Sequence, residues 1–278
     1  MLKFLFFCSK KRILLIISCQ VKFIFDQSST EFEFYLTDEH WSHLQSIQTN
    51  YTEAVRLNQI TGISLYPFIQ PIESTSDLFR IPLYISSMRL ITFFKQTKEF
   101  HELDLSTQLY LIKLNLITIC FYHSLYIYDS QTDSYHEHDT DDPIFSGSDW
   151  TNTLNKQFHS QMNLIRMKII DDLQSDQHIM KLIMFIVLFS RSVCRFQFNE
   201  RTCIDNNQAD IFKRQNIYTE LLYRYCLQRY DLSKAPVIFM KYIFNIMKIQ
   251  QLVDELKYNI QEYIDITELS PLIQSLIM

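Results

Sequence analysis

An all-α fold is what this sequence predicts, and three observations carry it. Only two glycines, Gly62 and Gly147, occur among 278 residues. Phosphate-cradling loops, nucleotide-binding turns and multi-hairpin sheets need positive φ or close backbone approach, and so need more glycine than this. Hydrophobic residues make up 47% of the chain and aromatics 14%, which is ample apolar surface for one large core. Those apolar positions recur at helical spacing over most of the length.

Residues 1–32 form an apolar and basic leader left unassigned. Its two clusters, Leu2 to Cys8 and Ile13 to Cys19, are split by Lys10, Lys11 and Arg12. Neither cluster is long enough to span a bilayer, and the basic residues are misplaced for a signal peptide, so no membrane association is expected. Residues 33–278 read as one domain. Thr37-Asp38-Glu39 is a helix start, with a hydroxyl cap and acids in the first turn, after which Trp41, Leu44, Ile47, Tyr51 and Val55 fall on one face. Asn50-Tyr51-Thr52 is a fortuitous glycosylation match inside that helix. Gln59 to Asp77, with Pro67, Pro71, Ser74 and Ser76, reads as a loop. Pro82 then opens a helix whose Tyr84, Ile85, Met88, Ile91, Thr92 and Lys95 recur at helical spacing.

The run FFKQTKEFHELDLSTQLYLIK, from Phe93 to Lys113, predicts two helices meeting at a short turn. Such a junction leaves an apolar trough with a rim that can carry charge. Lys95 and Lys113 at the rim could donate to the free carbonyls at the C-terminus of a short docking helix, where the macrodipole is negative, while the trough takes that helix's leucines. From Lys113 the chain is almost wholly apolar to Tyr128, as a helix buried on every side requires. Beyond it, helical patterns cover Phe158 to Ile170, Gln177 to Ser190, Gln208 to Tyr230 and Ala235 to Tyr258.

Other function classes lack their residues. The segment His136-Glu137-His138-Asp139 through Asp142, set among Ser, Thr and Asp before Pro143, reads as a solvated loop and not a metal site. No grouping has the spacing of a hydrolase triad, a zinc-protease helix or a phosphoryl-transfer loop, so no catalytic residue, metal or cofactor is assigned and no enzyme is expected. The cysteines Cys8, Cys19, Cys120, Cys194, Cys203 and Cys226 are too scattered for a zinc module or a disulfide framework and read as reduced thiols. A net charge of −5 gives no basic field for direct DNA contact.

Phe94, Lys95, Phe100, Leu103, Gln108, Leu111 and Lys113 stand where nuclear-receptor ligand-binding domains carry their aromatic-x-Lys, Phe-x-x-Leu, Asp-Gln and Leu-Leu-Lys elements. The chain therefore resembles that family. LTDEHWSHLQSIQTNY from Leu36 is similar to the first helix of its thyroid-hormone and ecdysone-receptor group, and KLIMFIVLFS from Lys181 to its eighth helix. Thr107 replaces the usual Asp, Lys98-Glu99 the usual Pro-Gly, Ile127 an arginine that anchors acidic ligands, and Thr118 a buried glutamate. TELSPLIQSLIM from Thr267 resembles the activation helix, with Leu272, Ile273, Leu276 and Ile277 as its apolar pairs and Ser275 where a glutamate is usual.

The resemblance implies a three-layer antiparallel helical sandwich of about 10–12 helices, with a small β-turn after the central helix. It implies a nuclear, ligand-regulated transcription-factor domain that binds coactivator or corepressor helices and forms homo- or heterodimers with another nuclear receptor. The coregulator groove would be Lys95, Gln108, Lys113, Leu272, Ile273, Ser275 and Leu276. A lipophilic ligand would pack among Tyr84, Met88, Ile91, Ile117, Cys120, Phe121 and Tyr128. The alternative is a ligand-free helical scaffold or dimer-only adaptor.

Overall fold

Thr37 opens the first helix, α1 (Asp38–Leu57), by accepting from the backbone of His40, whose ring in turn takes the Thr37 N–H. This is a capping box with His in place of the usual Glu. The computed structural model describes residues 35–60, 68–149, 164, 167–168, 176–190, 207–263 and 265–277. Leu44, Ile47, Tyr51 and Val55 of α1 are buried as the periodicity predicts, whereas Trp41 stays exposed and meets Tyr225 edge-on. The leader and most of the predicted Phe158 to Ile170 helix lie outside the described residues.

The segment read as a loop up to Asp77 instead contains a strand, β1 (Ile69–Gln70), and a short helix, α2 (Thr75–Arg80). Ser74 and Asp77 form a capping box there, a signal hidden among hydroxyls and prolines that favour loops. Pro82 occupies the first position of α3 (Pro82–Lys95), where its missing N–H costs nothing. A single turn, α4 (Lys98–His101), leads to α5 (Leu105–Tyr126), capped by Asp104. The hydroxyls of Ser106 and Thr107 and the amide of Thr107 bond that carboxylate and hold it well below the usual acid range.

After α5 the chain makes β2 (Tyr128–Asp129), β3 (Ser134–Tyr135) and β4 (Ile144–Ser146). The sheet order is β1-β4-β3-β2, with β1 parallel to β4 and the other pairs antiparallel. The expected small turn is thus a four-stranded sheet, because β1 returns from before α2 to pair with β4. Gly147 donates to the Asp133 carbonyl at 2.7 Å, and a Cβ at Gly147 would collide with the Asp133 side chain. That close approach accounts for one of the chain's two glycines.

The C-terminal part holds α6 (Gln177–Leu188), α7 (Gln208–Tyr230), α8 (Ala235–Tyr263), a 3₁₀ turn (Ile266–Glu268) and α9 (Pro271–Ile277). Helix α7 matches its predicted bounds, and α8 runs five residues past its predicted end. The described residues thus hold nine α-helices and four short strands. The architecture is all-α in class.

Helix α5 packs against α3, α6, α8 and α9, and α6 lies between α5 and α7. From Leu111 to Leu125 nearly every side chain of α5 is buried, and so is every residue of α6 from Ile179 to Leu188. Helix α5 is long and apolar enough to cross a membrane, but here that character serves burial among the other helices. An aromatic column fills the centre: Phe185 stacks on Tyr218 with centroids 4.3 Å apart and meets Phe93 at 5.1 Å and Phe94 at 5.3 Å.

Candidate functional site

Two regions gather chemistry. The first is the junction of α3, α4 and α5. Phe94, Phe100, Leu103 and Leu111 are all buried there and fix the turn. Gln108 does not stand free at a rim: its Nε2 donates to the carbonyls of His101 at 3.2 Å and Leu103 at 2.8 Å, which ties the end of α4 to α5. Lys95 ends α3 and is exposed, and Lys113 is half-buried on α5. Neither lysine makes an ion pair among the described residues.

The sequence reading missed two residues at this junction. Leu105 is 70% exposed and Leu109 53% exposed. They sit four residues apart, with Lys113 four further on, so an open apolar stripe on α5 leads to the lysine. Their spacing was visible, but spacing alone does not separate an outward leucine from an inward one.

Helix α9 packs against α5 and α8. Ile273, Leu276 and Ile277 are buried, and Leu272 is half-buried. Gln274 donates to the Thr267 and Leu269 carbonyls, which fastens the helix to the turn before it. The Ser275 hydroxyl donates to the Leu272 carbonyl at 2.7 Å, so this side chain turns back on its own helix.

The second region is a cavity of about 60 Å³ bounded by α2, α3, α5, the sheet and Leu256 of α8. Ile117, Cys120 and Phe121 line it, and so does Ile127. Tyr84, Met88, Ile91 and Tyr128 are not in its wall. Tyr84 is exposed, Met88 and Ile91 are half-buried, and Tyr128 packs on Tyr135 while donating to Asp133. The face of α3 taken to line the cavity is therefore not its buried face. Ser87, Arg89, Leu90, Phe93 and Phe94 are buried instead. The charge at position 89 disguised the inward side.

Arg89 is 2% exposed. Its Nη2 donates to the Asn58 carbonyl at 3.2 Å, at the end of α1, and pairs with Asp142, while Nη1 lies 3.6 Å from Glu137 Oε2. Glu137 also accepts from the Tyr51 hydroxyl at 2.8 Å and lies 3.0 Å from His123 Nε2. His123 Nδ1 lies 3.1 Å from the Ser86 hydroxyl.

The segment from His136 to Asp142 is thus not a solvated loop throughout. Glu137 and Asp142 turn inward because a buried guanidinium needs anions beside it. Burial alone would push the Glu137 carboxyl up, but hydrogen bonds from His123 and Tyr51 and the charge of Arg89 outweigh it and hold it below its ordinary value. Burial pushes the Cys120 thiol up to about 12, which makes it a packing group and not a nucleophile.

Beside this cluster Lys181 of α6 is almost fully buried. Its Nζ bonds Gln48 Oε1 at 2.7 Å and lies 4.6 Å and 4.8 Å from the ring centres of Tyr51 and Tyr126. No grouping of metal-ligating side chains occurs among the described residues. Arg89, His123, Glu137, Asp142 and Lys181 come from four separate stretches of chain, and the sequence carried no spacing that joins them. No known protein family matches the chain, and no curated protein matches it either.

Proposed function

We propose that this chain is the regulatory domain of a nuclear-receptor-like transcription factor, built as a three-layer antiparallel helical sandwich, that docks leucine-rich coregulator helices under the control of a lipophilic ligand. The observation that carries the reading is the α3–α4–α5 junction, where Leu105 and Leu109 are open beside Lys113 and α9 packs on the same central helix. An apolar stripe ending in a lysine suits an amphipathic helix whose leucines fill the trough and whose last carbonyls accept from the cation. The ligand chamber is the cavity between α3, α5 and the sheet, and an occupant there would bias the position of α9. In this reading the domain works in the nucleus, dimerises with another receptor and leaves DNA contact to its partner.

A second reading, a ligand-free helical scaffold or dimer-only adaptor, draws on the size of the cavity. About 60 Å³ is small beside the ~300–1,000 Å³ of sites for drug-sized ligands.

Fluorescence anisotropy with labelled coactivator and corepressor helices against the full chain separates the two. Wild type is expected to bind, with Lys113→Glu and Leu109→Arg weakening binding tenfold or more. Ser275→Glu is expected to strengthen the coactivator helix selectively, by roughly tenfold, since a charge-assisted contact to free backbone amides is worth about 1–3 kcal/mol. A folded chain that binds neither helix would overturn the receptor reading and leave the scaffold.

A further inference from the structure

We infer that the cavity seats a small, largely apolar molecule that presents one neutral hydrogen-bond acceptor, such as a ketone or ester oxygen, to Arg89, and that it excludes carboxylates. The inference takes the cavity as the ligand chamber of the reading above and names the class of ligand.

Arg89 Nε is a buried donor without a hydrogen-bond partner among the described residues, and Arg89 belongs to the cavity wall. A buried N–H with no acceptor is unfavourable, so an occupant that accepts there makes a bond the protein alone leaves unmade. The charge of the same guanidinium is already answered. Asp142 pairs with Nη2, and Glu137 stands 3.6 Å from Nη1. A ligand carboxylate would be a third anion around one cation, desolvated and uncompensated. A neutral oxygen takes the free donor without adding charge.

The remainder of the wall decides the body of the ligand. Leu83, Ile117, Phe121, Ile127 and Phe145 are apolar and lie beside His136 and the carboxylates of Glu137 and Asp142. The Ser86 and Ser124 hydroxyls are already engaged, with His123 Nδ1 at 3.1 Å and with the Phe121 carbonyl at 2.8 Å. An alkyl ketone satisfies both the donor and the apolar wall. The volume of about 60 Å³ is below the ~150 Å³ of an apolar cavity that admits benzene, which sets the buried part of the ligand at a few carbons.

Three molecules of one shape test this: 2-butanone, 2-methyl-1-butene with a methylene in place of the oxygen, and propanoate with an oxyanion in place of a methyl. Each is titrated into the full chain and followed by methyl NMR of the isoleucines and leucines. The ketone is expected to shift cavity methyls and to bind at least tenfold more tightly than the alkene or propanoate. Arg89→Lys keeps the cation but has no Nε, and is expected to bring ketone and alkene within about twofold, a loss of about 1 kcal/mol from a tenfold preference. Leu83→Trp, which fills the cavity and leaves Arg89 intact, is expected to abolish the ketone shifts with the fold retained, so the test survives if the arginine variant does not fold.

Absence of cavity shifts with the ketone, equal binding of ketone and alkene, or tighter binding of propanoate would each overturn the inference. Helix-peptide binding is measured on the same sample. Ketone capture without peptide binding would sink the receptor reading and leave this inference standing, whereas peptide binding without ketone capture would sink this inference alone.

Discussion

Arg89→Met is expected to destabilise the folded chain by about 3–5 kcal/mol, the range for removing one member of a buried ionic group and leaving the others uncompensated. The side chain is almost fully buried, and it joins the end of α1 through Asn58 to the sheet segment through Glu137 and Asp142. Methionine keeps most of the volume, so the loss reports charge and hydrogen bonding more than packing. Chemical denaturation at neutral pH is the measurement. The triple variant Arg89→Met, Glu137→Gln, Asp142→Asn is expected to recover much of the loss, because members of one network are strongly non-additive. A loss below about 1 kcal/mol for the single variant would mean that the two carboxylates do not depend on Arg89, contrary to the usual cost of an unpaired buried charge.

The same cluster sets an acid limit on stability. The Glu137 carboxyl is held below its ordinary value of 4.5 in the folded state. Its contribution is therefore complete above that value and is lost as pH falls through the lower, folded one. Glu137→Gln is expected to flatten this acid limb in a denaturation series run from neutral pH downward.

Lys181→Met is expected to act in the opposite direction and stabilise the fold by about 2 kcal/mol at pH 7, within the range seen when buried charges give way to apolar groups of similar size. Burial lowers the lysine from 10.5 to about 8, against the opposing pull of Glu137 and Asp176. Between those values the unfolded chain binds more protons than the folded one, so stability rises with pH across that window. The penalty is complete below about 8 and amounts to roughly 3 kcal/mol, partly offset by the bond to Gln48 and the two tyrosine faces. Thermal unfolding at pH 7 and pH 10 should show the variant's advantage shrinking at the higher pH. An unchanged or lower Tm at pH 7 would mean that the contacts of the ammonium outweigh its desolvation.

The sequence by itself determined the helical class, the burial of α5 and many of the helix limits. These follow from local causes: scarcity of glycine, apolar runs longer than a strand needs, a Thr37 cap, Pro82 in a first turn. It also determined where the α3–α4–α5 junction lies, since Phe94, Phe100, Leu103 and Leu111 are buried at that turn. Only the tertiary structure decided which face of α3 turns inward, that Glu137 and Asp142 leave the solvent, and that Leu105 and Leu109 remain in it. A charged residue becomes a core residue only when groups from distant stretches supply its counter-charges, and a leucine stays outside only when no other element covers it. Tyr51, Arg89, His123 and Glu137 lie on three helices and one loop. Their meeting is set by helix packing, which hydrophobic period constrains by face but not by partner.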